Sequence, residues 1–237
     1  MVYMTTALSC SQLPYSQLPT LMTRMTGDEK HGPSATSTLD VLWVLYHDIL
    51  RVDAAHPDHP DRDRFLLSKG HGPMAYYAVL AAHGFLTPAD LDGFGSFDST
   101  LGFHPDGTLV PGVEIGSGSL GHGLGLAVGS ALGLRLTGRR TPRVVVLVGD
   151  AELDEGSNAE AIQFAGRVGL DRLTTVVIDN DSAGLGWPGG IAARFAVEGW
   201  STVDVDGRDH DALRRAFTVE HPERPLAVVA HVESKSA

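Results

Sequence analysis

The chain has 237 residues, 43% hydrophobic and 20% charged, with a formal net charge of −11 and one cysteine, Cys10. One large domain with a full core fits that length. The negative charge argues against a nucleic-acid or anionic-membrane surface as partner. A single cysteine excludes an intramolecular disulfide and a cysteine-built metal site, and no run of about 18 apolar residues exists to span a bilayer.

Residues 1–29 are rich in Ser, Thr, Pro and Met and lack helical or strand periodicity. They also lack the basic start, apolar stretch and cleavage site of a secretory signal. They read as a poorly ordered leader, with Met22 or Met25 as alternative starts, ahead of a domain at 30–237. A cytoplasmic location follows by default.

From Leu39 to Leu50 the pattern LDVLWVLYHDIL places apolar residues on a wide helical stripe. The segment HPDHPDRDR, 56–64, is a polar connector. Pro73 opens the next helix and Gly84 stops it. Ser119 to Thr137 reads as a helix with glycines at 121, 123, 125, 129 and 133. Each glycine costs about 1 kcal/mol relative to alanine, so another helix or a ligand must pack close to this backbone.

Val144–Val148 and Leu173–Ile178 are β-branched runs suited to strands covered on both faces. Between them Ser157 and Glu160 have capping-box spacing, starting a helix to about Gly166. VDV near Val203, a helix from His210 to about Val219 and a strand from Leu226 continue the alternation. The fold class is α/β, a mostly parallel sheet with helices on both faces.

Asp150 closes the first of these strands and Asn180 the second, thirty positions on. At the carboxyl ends of two strands, an Asp and an Asn suit a hard divalent cation over the crevice where open α/β sheets bind ligands. Such a cation would grip a diphosphate, which an acidic chain does not attract by itself. Read singly, Asp150 is better explained as an N-capping residue and Asn180 as a turn residue.

Three blocks, LSKGHG (67–72), LGFHPDGTLVPGVEIGSGSLGHGLGLAVG (101–129) and GDAELDEG to DN (149–180), together resemble the thiamine diphosphate-binding N-terminal domain of transketolases. The likeness runs from about His31 to His231. It implies thiamine diphosphate with Mg²⁺ or Ca²⁺, the cation held by Asp150, Asn180 and the backbone carbonyl of Ser182. Cofactor contacts are implied at His71, Gly116, Gly118, Leu120, Gly149, Asp150, Ala151, Glu152, Asn180 and Ser182.

By the same resemblance His31, His71 and His104 perform proton transfer and hydroxyl recognition, with His104 beside the substrate's C1 hydroxyl. His122 stands where the family has Gln and is assigned only a contact. Glu155 matches the acid that faces the partner active site, although the helix dipole alone favours carboxylates at Glu155 and Glu160. Two departures stand out: Ala151 replaces the family's usual Gly, and Ser182 replaces a bulky apolar residue.

In this family a glutamate from a separate pyrimidine-binding domain activates the cofactor, and no such domain lies within these 237 residues. The chain therefore resembles the N-terminal subunit of a split transketolase, working only with a separately encoded C-terminal subunit. The implied assembly is a heterotetramer of two copies of each. The implied reaction moves a two-carbon ketol unit from a ketose to an aldehyde. The alternatives are a 1-deoxy-ketose synthase, a 2-oxo acid decarboxylase or dehydrogenase, and a non-catalytic cofactor-binding module. Gly116, Gly118 and Gly121 also satisfy a nicotinamide-type G-x-G-x-x-G, but no acidic ribose reader follows about twenty residues on.

Overall fold

Short apolar runs pair side by side in parallel as five strands. They are β1 Arg64–Leu67, β2 Val144–Gly149, β3 Leu173–Asp179, β4 Ser201–Asp206 and β5 Leu226–His231, in the order β1-β2-β3-β5-β4. The computed structural model describes residues 13–26 and 32–234. Its α-helices are α1 Leu18–Met22, α2 Gly32–Thr36, α3 Leu39–Val44, α4 Met74–Ala82, α5 His122–Leu136, α6 Gly156–Val168, α7 Gly190–Val197 and α8 His210–Phe217.

Alternate residues of the central strands feed two cores, one per face. Phe65, Val145, Leu147, Val176 and Ile178 pack with α1, α3, α4 and α8. Leu66, Val146, Val148 and Val177 pack with α5, α6 and α7. Every residue of β2 is buried, as a doubly covered parallel strand requires. The expected mostly parallel α/β sheet with helices on both faces is what the chain forms.

Several elements differ from the sequence reading. Within the 1–29 leader, residues 13–26 are not loose: Leu18, Leu21 and Met25 are buried, and the Tyr15 hydroxyl donates to Asp40 at 2.6 Å. Leu18, Leu21, Met22 and Met25 have helical i, i+3, i+4, i+7 spacing, which the Pro- and Ser-rich composition conceals. The helix from Leu39 becomes a wider π-turn over Leu45–Ile49, turning Tyr46 inward and His47 outward. Strand β1 and helix α7 were not expected. β1 is only four residues long and follows a charged connector that carries no strand signal.

That connector is organised by Asp63, which is fully buried. Its carboxylate accepts from Arg51 and Arg143 guanidiniums at 2.8 and 2.7 Å and from both main-chain amides at 3.0 and 2.7 Å. Burial alone would raise the Asp63 pKa, but these donors hold it below the usual carboxylate range. A lowered carboxylate stabilises the fold above its unfolded pKa and loses that contribution as pH falls through its folded pKa. Asp63→Asn should therefore cost about 2–3 kcal/mol in urea unfolding at pH 7. The deficit should shrink in acid, and a pH-independent deficit would contradict the ion-pair origin.

Candidate functional site

The register of β2 and β3 sets Gly149 beside Ile178, so Asp150 and Asn180 emerge from adjacent strand tips. The Asp150 amide donates to the Ile178 carbonyl at 3.0 Å, fixing that tip. Both side chains are buried. The Asp150 carboxylate accepts from the Ser182 amide at 2.6 Å, the Ser182 hydroxyl at 2.5 Å and the Ala183 amide at 3.0 Å. Ser182 thus meets Asp150 through two donors.

Asn180 Oδ1 is buried with no hydrogen-bond partner. Leaving a buried acceptor unsatisfied costs about 1–3 kcal/mol, so the position calls for an electropositive group. Among the described residues no three His, Cys, Asp or Glu side chains form a ready metal cage. A hard cation here would draw on one carboxylate and one amide oxygen, with its other positions left for a ligand. The donor chemistry fits such an ion.

Asp154 is a site residue that the sequence reading missed. Its carboxylate accepts from the Gly184 and Leu185 amides at 2.8 and 3.1 Å. Asp150 and Asp154, four positions apart, thus clasp the 182–185 loop between them. The preceding Asp181 has φ +55°, a left-handed turn rare outside glycine. Two acids one helical turn apart, with a Gly-rich loop downstream, were the available signal.

The Glu152 side chain turns into the protein. Its buried carboxylate accepts from the Ser68 hydroxyl, the Gly121 amide at 2.9 Å and, more weakly, the Gly149 amide at 3.4 Å. The Asn158 side chain donates to its carbonyl at 2.6 Å, and Ser68 Oγ accepts from the Gly123 amide at 2.9 Å. Burial pushes the Glu152 pKa up, against the pull of these donors. One carboxylate therefore joins the segments that carry all three sequence blocks. Lys69, also missed, is buried with its ammonium on the Ser34 carbonyl at 2.9 Å and its stem against Gly149.

Two glycines make these close approaches feasible. Gly118 has φ +120°, and a Cβ there would lie 2.7 Å from the His104 ring. Gly121, the left-handed N-cap of α5, would place a Cβ 2.5 Å from Ser157 Oγ. The capping box does not form, because Glu155 is the N-cap and α6 already begins at Gly156. Ser157 lies inside the first turn of α6, and its hydroxyl donates to the Gly121 carbonyl at 2.9 Å. The helix runs beyond Gly166 to Val168 and closes on Gly169. Helix α5 starts at His122, because residues 119–121 turn before it. Close packing holds at Gly121 and Gly123, whereas Gly125, Gly129 and Gly133 face open space.

His71 and His104 come together edge to face, with ring centroids 5.1 Å apart. His31 lies outside the described residues. Glu155 is exposed as the N-cap of α6, Leu120 is exposed, Gly116 borders open space, and Ala151 is half-buried beside Asp150. The arrangement offers buried side-chain oxygens at two adjacent strand tips and two imidazoles in contact, with Gly118 against one of them.

A family described as transketolase, thiamine diphosphate binding domain, matches residues 25–230. A Rhodococcoides fascians protein named ferredoxin fas2 is 57% identical over 227 residues, covering 96% of this chain and 75% of that protein. One subunit of the apulose-4-phosphate transketolase of Phocaeicola vulgatus is 34% identical over 203 residues, covering 82% of this chain and 72% of that one. A Pichia stipitis transketolase solved with fructose-6-phosphate superposes with TM-score 0.78 at 26% identity, over 94% of this chain and 36% of its own. This chain thus spans about a third of that enzyme's length. By the matching family model, its subunit relative and the shared fold, the chain belongs to the transketolase family and comprises its thiamine diphosphate-binding domain.

Proposed function

We propose that this chain is the N-terminal subunit of a split transketolase that transfers a two-carbon ketol unit from a ketose to an aldehyde. The observation that carries this reading is the partnerless Asn180 Oδ1, buried at the strand tip beside Asp150. A divalent cation, Mg²⁺ or Ca²⁺, satisfies that oxygen and grips a diphosphate at once. Asp150, Asn180 and the main chain at Ser182 hold the ion. Thiamine diphosphate, when bound, supplies the carbanion that breaks and forms the carbon–carbon bonds.

The remaining work belongs to this chain's residues. The Gly116–Gly118 segment lets backbone approach the cofactor without a Cβ in the way. His71 and His104, in mutual contact, move protons to and from substrate hydroxyls. His31 shares that duty. His104 recognises the donor's C1 hydroxyl, because a site built for a hydrogen bond rejects a donor that lacks it. Glu155, exposed on α6, reaches the neighbouring active site.

A separately encoded C-terminal polypeptide supplies the pyrimidine half, in a heterotetramer of two plus two. The Phocaeicola vulgatus relative, 72% of which this chain covers, is itself named as one subunit of a transketolase, which supports a divided enzyme. The proposal keeps the cytoplasmic location expected from the sequence. No helix among the described residues is long and apolar enough to cross a membrane.

One observation favours a second reading. The relative at 57% identity is named a ferredoxin, and the match leaves a quarter of its length uncovered. With Cys10 alone, these 237 residues lack the thiolates of an iron–sulfur cluster. In this reading a 2-oxo acid and water yield carbon dioxide, a carboxylic acid, two protons and two electrons. The electrons then pass to an iron–sulfur centre outside these 237 residues.

Asp150→Ala should weaken Mg²⁺-dependent thiamine diphosphate binding about 100-fold by calorimetry; unchanged affinity refutes the cation assignment. The chain alone should turn over at background, with activity restored by its separately encoded partner. Full activity without it contradicts the split enzyme. Assayed on ketoses with an aldehyde acceptor and on 2-oxo acids with a ferredoxin acceptor, the reconstituted pair separates the two readings. His104→Ala should lower kcat/KM about 100-fold for donors bearing a C1 hydroxyl and only about threefold for pyruvate. Equal losses would remove that role.

A further inference from the structure

The opposite end of the sheet from Asp150 carries a cavity that the proposed function does not use. Strand β2 spans roughly 17 Å, at about 3.3 Å per residue, from its start at Val144 to the Gly149 tip. At that start the end of α5, the loop into β2 and the turn into β3 enclose a hollow with Leu134 and Leu170 in its wall. Arg135, Arg139, Arg140 and Arg172 line it, against one carboxylate, Asp171. The chain has 29 acidic and 18 basic residues, so the overall balance of charge is reversed here.

Main-chain bonds fix the frame. The Val144 amide donates to the Arg172 carbonyl and the Arg139 amide to the Leu134 carbonyl, both at 2.8 Å. Half-buried Arg135 donates through Nη1 to the Val168 and Gly169 carbonyls at 2.8 and 3.3 Å, which leaves Nε and Nη2 without a protein partner. Arg139 meets Asp61 at 2.6 Å on the surface. Arg51, Arg143, Arg208 and Arg214 elsewhere also pair with carboxylates. Arg140 and Arg172 are exposed and pair with none among the described residues.

Guanidiniums gathered round one hollow repel each other, and an anion among them reverses that cost. The cavity volume of about 60 Å³ suits a small oxyanion and is too little for a nucleotide. A tetrahedral dianion presents enough acceptor oxygens to engage several guanidinium forks at once, whereas a carboxylate has two. We propose that this hollow is a phosphate-binding site, taking inorganic phosphate or the phosphate group of a sugar phosphate. Arg135 is its fixed anchor, and Arg140 and Arg172 supply its unpaired charge. The site stands apart from the cation reading above, because it lies at the other end of β2 and needs no metal.

The test is calorimetric titration of inorganic phosphate, and separately of ribose 5-phosphate, into the full chain at fixed ionic strength. Arg140 and Arg172 are changed together to Ala in one variant and together to Gln in another. Arg167→Ala, an exposed arginine on α6 outside the cavity, is the control. Phosphate should bind saturably to wild type, about tenfold more weakly to both double variants and within about twofold of wild type to Arg167→Ala. Urea midpoints equal to wild type show that the variants fold. Ribose 5-phosphate binding more tightly than phosphate, and losing affinity in the double variants, assigns the site to a sugar phosphate; no gain assigns it to free phosphate. Absence of saturable phosphate binding, binding that the double variants retain in full, or an equal loss in Arg167→Ala overturns the proposal.

Discussion

Glu152 is the constraint on which the site's geometry depends. Its buried carboxylate draws in the Ser68 hydroxyl after β1, the Gly121 amide before α5 and the Gly149 amide at the tip of β2. These segments are far apart in sequence, and backbone amides cannot be replaced by changing a neighbour's side chain. Burying such an acid is tolerable only because its oxygens are met by donors and a buried lysine lies nearby. The His71–His104 pair and the Asp150 tip are then held in one frame. Gly70 and Gly118 pack too tightly for any side chain between them, so the frame has little slack.

Charge explains why a cation is central. The chain carries a net −11, and Asp150 and Asp154 both clasp the loop after β3. A diphosphate brought there without a counterion would meet carboxylates. With a divalent ion between, the same carboxylate becomes the attachment point. The loop after β3 orients that carboxylate through the Ser182 amide and hydroxyl and the Ala183 amide.

Much of this was legible in the sequence, because the relevant signals are local or periodic. The runs Val144–Val148 and Leu173–Ile178 are strands, and the two polar residues that follow them stand at adjacent tips. The His71–His104 contact was foreseeable only as common membership of one site. What escaped is what depends on tertiary partners. Ser157 has capping-box spacing but finds the Gly121 carbonyl, which arrives from 36 residues away. Glu152 sits among the acids of one turn, and nothing in its immediate neighbours shows that it turns inward while Glu155 turns out. The helical spacing of Leu18, Leu21, Met22 and Met25 was masked by the prolines and serines around it.

The most direct measurement is the anomalous scattering of Mn²⁺ in crystals of the full chain grown with thiamine diphosphate. The account expects a peak about 2.2 Å from Asn180 Oδ1 and from one Asp150 oxygen, with diphosphate oxygens completing the shell. A cofactor bound elsewhere, or Asn180 Oδ1 turned onto a protein donor with no metal beside it, would contradict the account at its base.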